Sequence, residues 1–184
     1  MNELNIHDLH LAAGEIHFGD GKTRIHTTLG TCISITLWHP VKKMGGICHF
    51  LLPTRPTNPQ ADGREPGLYA DEVMGAFADA LRANQTLPGE YVVKITGGGH
   101  MFPDQLLDAA CRNEACTDAR RAACPSIGCK NICAARTLLT DAGYRVTAEH
   151  VGGHGSRKLI FELWSGHTLV RRGESMSTFP RAAA

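Results

Sequence analysis

The sequence predicts a single domain of the α+β class, on three observations. Short runs that alternate apolar and polar residues, typical of half-buried strands, occur towards both ends of the chain. Two longer segments repeat apolar residues at helical spacing. The length of 184 residues suits one domain with a sizeable core, and no internal repeat divides it. We therefore expect residues 1–184 to fold as one unit of strands and helices.

The first predicted element is a β-hairpin that separates Cys32 from His49. Residues 33–38 alternate in the period-2 pattern of a half-buried strand. Residues 39–43 are polar and contain a proline, which indicates a turn. A second β-rich run covers residues 46–52. The segment is therefore predicted to fold back on itself as two antiparallel strands.

This hairpin predicts a thiol beside an imidazole. With the turn centred on residues 40 and 41, Cys32 stands directly opposite His49, and facing residues have Cβ atoms roughly 4.5–5.5 Å apart. A two-residue shift of this register would make them diagonal neighbours on one face, and a one-residue shift would place them on opposite faces. A thiolate attacks carbonyl carbons, and an imidazole can accept and return the proton. An ion pair between them would lower the pKa of the thiol and raise that of the imidazole. The alternative is a buried structural cysteine near an ordinary strand histidine.

Glycines flank the predicted nucleophile. Gly30 lets the backbone bend before the strand and approach a substrate closely. Backbone N–H groups at this bend could form an oxyanion hole. Further along, Gly97, Gly98 and Gly99 lack the Lys-Ser/Thr partners of a phosphate-binding loop. We interpret these three glycines as close backbone packing near the active site.

The remaining elements follow from turn residues and apolar periodicity. A loop is expected over Thr54–Gly67, which is rich in Pro, Asn, Asp and Gly. Helices are predicted over Tyr69–Asn84 and Ile132–Ala142, the second ended by Gly143. Four further strands are predicted, over Tyr91–Thr96, Arg145–Val151, Lys158–Trp164 and His167–Arg172.

A Cys-rich insert is predicted at about residues 103–130, and a frayed tail at about residues 174–184. The cysteines of the insert, with one just beyond it, are Cys111, Cys116, Cys124, Cys129 and Cys133. Thiolates suit zinc, but the spacing has none of the C-x2-C pairs of common zinc modules. We predict no metal site here, and keep metal binding and redox sensing by the cluster as alternatives.

Composition excludes several functions and suggests a cytoplasmic protein. The 19 basic and 18 acidic residues nearly balance, whereas a nucleic-acid binder would carry a basic excess. No apolar stretch approaches the roughly 20 residues that a membrane span needs. The first eight residues lack a signal-peptide pattern, and seven cysteines cannot all pair within the chain. Reduced thiols in the cytoplasm are therefore expected.

Six blocks of sequence resemble the chemoreceptor glutamine deamidase family, CheD. They occur in the order typical of that family, and the resemblance as a whole covers roughly residues 14–172. Thr31 stands where the family usually has serine, which keeps the hydroxyl. The six blocks are Thr27–Ile35, Trp38–Pro40, Gly45–Pro53, Lys94–Phe102, Asn131–Arg136 and Gly152–Lys158.

The resemblance implies a catalytic set and a fold. Cys32 would be the nucleophile, His49 the general base and acid, and Thr27 the third catalytic residue, with Thr28 as the runner-up. The fold would be a cysteine-hydrolase-like sandwich in which two mixed β-sheets pack together with helices on one side. No cofactor is implied. Substrate-binding residues are expected at Thr28, Gly30, Thr31, Gly97 and Gly98.

The function that the resemblance implies is protein-glutamine deamidation. Specific glutamines of methyl-accepting chemotaxis receptors would become glutamate through a thioester on Cys32. A chemotaxis phosphatase of the CheC type would be a binding partner. The alternatives are a non-catalytic chemotaxis adaptor that binds such a phosphatase, and a metal- or redox-sensing protein that uses the Cys111–Cys133 cluster.

Overall fold

A computed structural model describes residues 6–56, 66–101 and 126–173. These residues form nine β-strands in two sheets and two α-helices. The predictions for the tail, for most of the Cys-rich insert and for the middle of the loop after the hairpin lie outside the described residues.

Among the described residues, five strands precede the first helix, one strand lies between the two helices, and three strands follow the second helix. The helices are α1 (Ala70–Ala83) and α2 (Ile127–Asp141). The first five strands are β1 (His7–His10), β2 (Ile16–Asp20), β3 (Thr23–Leu29), β4 (Ile33–His39) and β5 (Met44–Cys48). The last four are β6 (Val92–Gly97), β7 (Val146–Val151), β8 (Arg157–Glu162) and β9 (Thr168–Arg172).

Both sheets are mixed, as predicted. The five-stranded sheet has the order β2-β5-β4-β6-β7, and β6 and β7 run parallel while its other pairs are antiparallel. The four-stranded sheet has the order β1-β3-β8-β9, and β1 and β3 are its parallel pair. Strand β4 is therefore central to one sheet and β3 is internal to the other.

Strand β4 separates two hydrophobic clusters because its side chains alternate between two faces. Ile33, Ile35 and Leu37 pack with the buried faces of α1 and α2. The opposite face of the sheet packs against Ile25 and Phe161 of the four-stranded sheet. The layers are therefore helices, five-stranded sheet and four-stranded sheet, which confirms the predicted sandwich with helices on one side. Each fully buried aliphatic or aromatic side chain contributes about 1.5–3 kcal/mol to this arrangement.

Helix α2 begins five residues before the predicted start at Ile132. Its first turn packs against the glycine run after β6, where a Cβ on Gly128 would lie 2.8 Å from the Gly98 carbonyl oxygen. The helix start is thus set by close backbone packing between distant segments. Apolar periodicity does not report such a contact, so the prediction followed the apolar run that begins one turn later.

Candidate active site

Cys32 lies immediately before β4, on a bend that the glycine run supports from behind. Its side chain is partly buried and packs against the cluster between the sheets. The Gly98 N–H donates to the Cys32 carbonyl at 2.8 Å, and the Gly99 N–H donates to the Gly30 carbonyl at 2.8 Å. The backbone around Cys32 is therefore held on both sides of Thr31.

The β4/β5 register differs by two residues from the prediction. Trp38 pairs with Gly45, and Ile33 pairs with Phe50, so paired residue numbers add up to 83 and not 81. The predicted direct pairing of Cys32 with His49 is wrong for this reason, because the turn after His39 is longer than a two-residue turn. A shift by two keeps both residues on one face, as diagonal neighbours.

His49 is oriented by a hydroxyl from the opposite sheet. Its Nδ1 lies 2.8 Å from the Thr27 Oγ1, and that hydroxyl donates to the Leu11 carbonyl at 2.9 Å. A hydroxyl has one proton, so Thr27 must accept a hydrogen bond from His49 while it donates to Leu11. We therefore assign the proton of the neutral imidazole to Nδ1, which leaves Nε2 free to accept a proton.

The two candidate threonines lie on opposite faces of β3. Thr27 is buried and shares its face with Ile25 and Leu29, which belong to the cluster between the sheets. Thr28 is exposed. Of the two, the hydrogen bond to the imidazole is made by Thr27.

Burial, and not ion pairing, governs the protonation of the pair. It raises the pKa of the Cys32 thiol above its ordinary 9.0, although hydrogen bonds from the Thr31 side chain and from the Cys32 and Gly30 backbone act the other way. Burial also lowers the pKa of His49 from its ordinary 6.5, against an opposing hydrogen bond to the Leu11 backbone. Both directions are opposite to those expected of a thiolate–imidazolium pair.

The glycines after β6 approach the backbone of Cys32 very closely. A Cβ on Gly97 would lie 2.1 Å from the Cys32 carbonyl oxygen, and Gly97 has a φ of 123°. Gly98 has a φ of 64°, and a Cβ there would lie 2.6 Å from Ile132. These contacts support the packing interpretation, and substrate binding by Gly97 and Gly98 stays a prediction.

A surface cavity of about 490 Å³ reaches the imidazole from the side of Thr27. Its polar lining combines a cation, hydroxyls and imidazoles, while Cys32 is not one of its lining residues. The predicted substrate-binding residue Thr28 therefore faces this opening. The lining residues are His10, Leu11, Ala12, Ala13, His26, Thr27, Thr28, His49, Lys158, Leu159 and Ile160.

No cluster of three or more His, Cys, Asp or Glu side chains able to hold a metal occurs within residues 6–56, 66–101 and 126–173. Cys129 and Cys133 lie one turn apart on α2, the first buried and the second partly buried. Cys111, Cys116 and Cys124 lie outside the described residues, so the metal and redox alternatives stay untested. In the part of the chain that the structure describes, neither helix is long and apolar enough to cross a membrane.

Two contributors to the site were not assigned by sequence reasoning. The Leu11 carbonyl orients Thr27, but backbone carbonyls leave no signature in a sequence. The Asn131 side chain donates to the Thr31 and Leu51 carbonyls. The sequence did contain a signal for Asn131, because an asparagine in a block shared with a family of enzymes is a candidate for a specific hydrogen-bonding role.

Comparisons with known proteins agree with the sequence resemblance. A family model described as CheD chemotactic sensory transduction matches residues 51–172. "Probable chemoreceptor glutamine deamidase CheD 3" of Dechloromonas aromatica is 39% identical over 88% of this chain and 85% of its own length. "Probable chemoreceptor glutamine deamidase CheD" of Pseudomonas syringae pv. syringae is 39% identical over 91% of this chain and 86% of its own.

A solved structure, hypothetical protein YfiH of Bacillus licheniformis, covers 71% of this chain and 47% of its own, at 15% identity and a TM-score of 0.42. That likeness is too low to carry an argument. The family match and the identities over most of both chains are decisive. The chain belongs to the CheD family.

Proposed function

We propose that this chain is a protein-glutamine amidohydrolase that converts glutamines of methyl-accepting chemotaxis receptors to glutamate. The observation that carries the proposal is the buried chain from the Leu11 carbonyl through Thr27 to His49. It leaves Nε2 of the imidazole free on the face that also carries Cys32. A thiol and an oriented imidazole on one face support the proposal, because a cysteine hydrolase uses a thiol nucleophile, a base and a group that orients the base. The names of the relatives supply the substrate class.

The proposed reaction starts from a neutral thiol. As the Cys32 sulfur attacks the carboxamide carbon, Nε2 of His49 takes the thiol proton, and a tetrahedral oxyanion forms. The imidazolium then gives that proton to the amide nitrogen, the C–N bond breaks, and ammonia leaves. A thioester remains between Cys32 and the substrate side chain. His49 next removes a proton from water as the water attacks the thioester, and glutamate and the thiol are released.

We expect hydrogen-bond donors near the Cys32 sulfur to stabilise the negative oxygen that forms during the attack. The Thr31 side chain and the backbone of Gly30 and Cys32 make hydrogen bonds that lower the pKa of the Cys32 thiol, so these donors lie around the sulfur. Donors already in place stabilise a developing charge without reorganisation. By contrast, the N–H groups of Gly98 and Gly99 already donate to carbonyls and are not available.

Replacing the nucleophile tests the proposal. Cys32→Ala and Cys32→Ser should release no measurable ammonia from a purified receptor cytoplasmic fragment, because alanine has no nucleophile and a hydroxyl is far weaker than a thiol. Mass spectrometry of the fragment should show amide-to-acid conversion with the wild-type protein and with neither Cys32 variant. Cys133→Ser, a partly buried cysteine on α2, is the matched control and should retain the wild-type rate. Turnover by Cys32→Ala at the wild-type rate would refute the assignment.

The proposal also includes a binding partner and a cellular location. Binding of a CheC-type phosphatase and a cytoplasmic location are expected from the family resemblance. The adaptor alternative would require neither the free Nε2 nor the buried Thr27 hydroxyl. The hydrogen-bonded base therefore favours the enzyme over the adaptor.

A further inference from the structure

The β4/β5 ladder ends at Thr36 and Ile47, and an isolated bridge between Ile33 and Phe50 follows it next to the proposed catalytic residues. Ile33 and Phe50 exchange both backbone hydrogen bonds, each at 3.0 Å. Cys32 precedes Ile33 and His49 precedes Phe50, so this pair joins the two catalytic segments at one point only. Beyond it, residues 31 and 52 would be the next hydrogen-bonded pair of this register, and in the described chain they make no backbone hydrogen bond to each other.

A side chain of α2 bridges the gap beyond the ladder. The Nδ2 of Asn131 donates to the Thr31 carbonyl at 3.1 Å and to the Leu51 carbonyl at 2.7 Å. One carbonyl belongs to the residue before the nucleophile, and the other to the second residue after the base. Cys32 is thus flanked by two links to the segment that carries His49.

The burial of Asn131 indicates that its two donated bonds matter. The residue is 0% exposed, and its Oδ1 has no hydrogen-bond partner among the described residues. A buried carbonyl without a partner costs free energy, which an apolar residue of similar size would avoid. The side-chain amide must therefore contribute something that offsets the free-energy cost of its unsatisfied oxygen. The contribution seen in the structure is the two hydrogen bonds that its NH₂ group donates.

Helix α2 presents this amide from a firmly packed position. A Cβ on Gly98 would lie 2.6 Å from the Ile132 side chain, so the helix and the glycine run behind Cys32 are in contact. The Gly98 N–H in turn donates to the Cys32 carbonyl. The amide of Asn131 lies on α2 and the Cys32 backbone is bonded to the glycine run, so the contact between these two segments links them.

We propose that Asn131 is a positioning residue that sets the distance between Cys32 and His49 by tying the Thr31 and Leu51 carbonyls together. This inference rests on the proposed function for its catalytic consequence, but the geometry of the thiol and imidazole can be tested without it. Displacing a catalytic group by about 1 Å can reduce a rate by about 100-fold. Asn131 touches neither substrate nor the reacting atoms, so its effect passes through the two segments that it joins.

The test compares Asn131→Ala and Asn131→Ser with a matched control. Asn84→Ala removes a similar bond, from the Asn84 Nδ2 to the Ala80 carbonyl at 2.8 Å, at the end of α1 and away from the site. For each protein we would measure kcat and KM on a receptor fragment, the melting temperature, and the rate of Cys32 alkylation by iodoacetamide against pH. Cys32→Ser in each background identifies the share of alkylation that belongs to Cys32.

We expect Asn131→Ala to lower kcat at least about tenfold with KM little changed, because misplacement affects the reacting groups. Alkylation of Cys32 should slow near neutral pH, where the imidazole assists, and remain close to wild type at high pH, where the thiolate forms unaided. Asn131→Ser should lie between alanine and wild type, because a hydroxyl can still donate one bond. Asn84→Ala should leave all kinetic readouts unchanged.

A lower melting temperature with kcat and the alkylation profile unchanged would overturn the proposal and leave Asn131 a structural residue. If Asn131→Ala does not fold, the serine variant decides by the same two readouts. If wild-type protein releases no ammonia, the proposed function fails, and the alkylation profile still decides whether Asn131 positions the pair.

Discussion

At the scale of single residues, we expect the proposed catalytic pair, Cys32 and His49, to be neutral because both groups are withdrawn from water. The pKa of Cys32 is raised and that of His49 is lowered, and burial is the largest cause of both shifts. A charged pair would require the free energy of Coulomb attraction to exceed two desolvation costs. In the proposed mechanism we therefore expect the imidazole to act as a base during attack, and its orientation by Thr27 to matter more than a pre-formed thiolate.

The neutral pair makes a prediction about pH. The ultraviolet absorbance of the Cys32 thiolate, taken as wild type minus Cys32→Ser, should rise with a midpoint above the ordinary thiol value of 9.0. Activity should fall at acidic pH only below the ordinary imidazole value of 6.5, because a lowered pKa keeps His49 unprotonated further into acid. A thiolate midpoint below 9.0 would contradict the neutral pair and restore the ion pair expected from spacing alone.

At the scale of the elements, the sequence predicted which side chains share one face of a strand, but it did not predict how neighbouring strands are paired in register. Alternation along β4 correctly predicted which residues share a face, because a side-chain period of two is local. The register depended on the turn, where Pro40–Lys43 leaves His39 paired with Met44 and Lys43 at a φ of 54°. Strands β1 and β2 were not predicted, since they are short and partly polar and are stabilised by pairing with β3 and β5.

Two glycine-to-alanine substitutions, one in β6 and one in α1, should have opposite effects on stability. Gly97→Ala should destabilise the protein by about 1–3 kcal/mol or more and lower activity, because its Cβ would meet the Cys32 carbonyl and its φ is positive. Gly75→Ala in α1 meets nothing within 4 Å and should stabilise by up to about 1 kcal/mol. Denaturant unfolding of both variants, with ammonia release, provides the comparison. A Gly97→Ala protein as stable and active as wild type would contradict the packing at Cys32.

At the scale of the whole molecule, the proposed catalytic residues come from both sheets, and a helix supplies the residue proposed to position them. The four-stranded sheet supplies Thr27, the five-stranded sheet supplies Cys32 and His49, and α2 supplies the amide of Asn131. The sequence supported the choice of Cys32 and His49 through spacing and resemblance. It did not assign the Leu11 carbonyl or the role of Asn131, because those contacts join segments 16 and 100 residues apart.

The most direct test of the central claim is to trap the covalent intermediate on Cys32. Wild-type protein would be mixed with a receptor cytoplasmic fragment, quenched with acid during turnover, digested and analysed by mass spectrometry. We predict a thioester between the Cys32 peptide and a receptor glutamine peptide, sensitive to hydroxylamine and absent from Cys32→Ala. Formation of receptor glutamate by Cys32→Ala at the wild-type rate, with no adduct on Cys32 in the wild-type protein, would contradict the account.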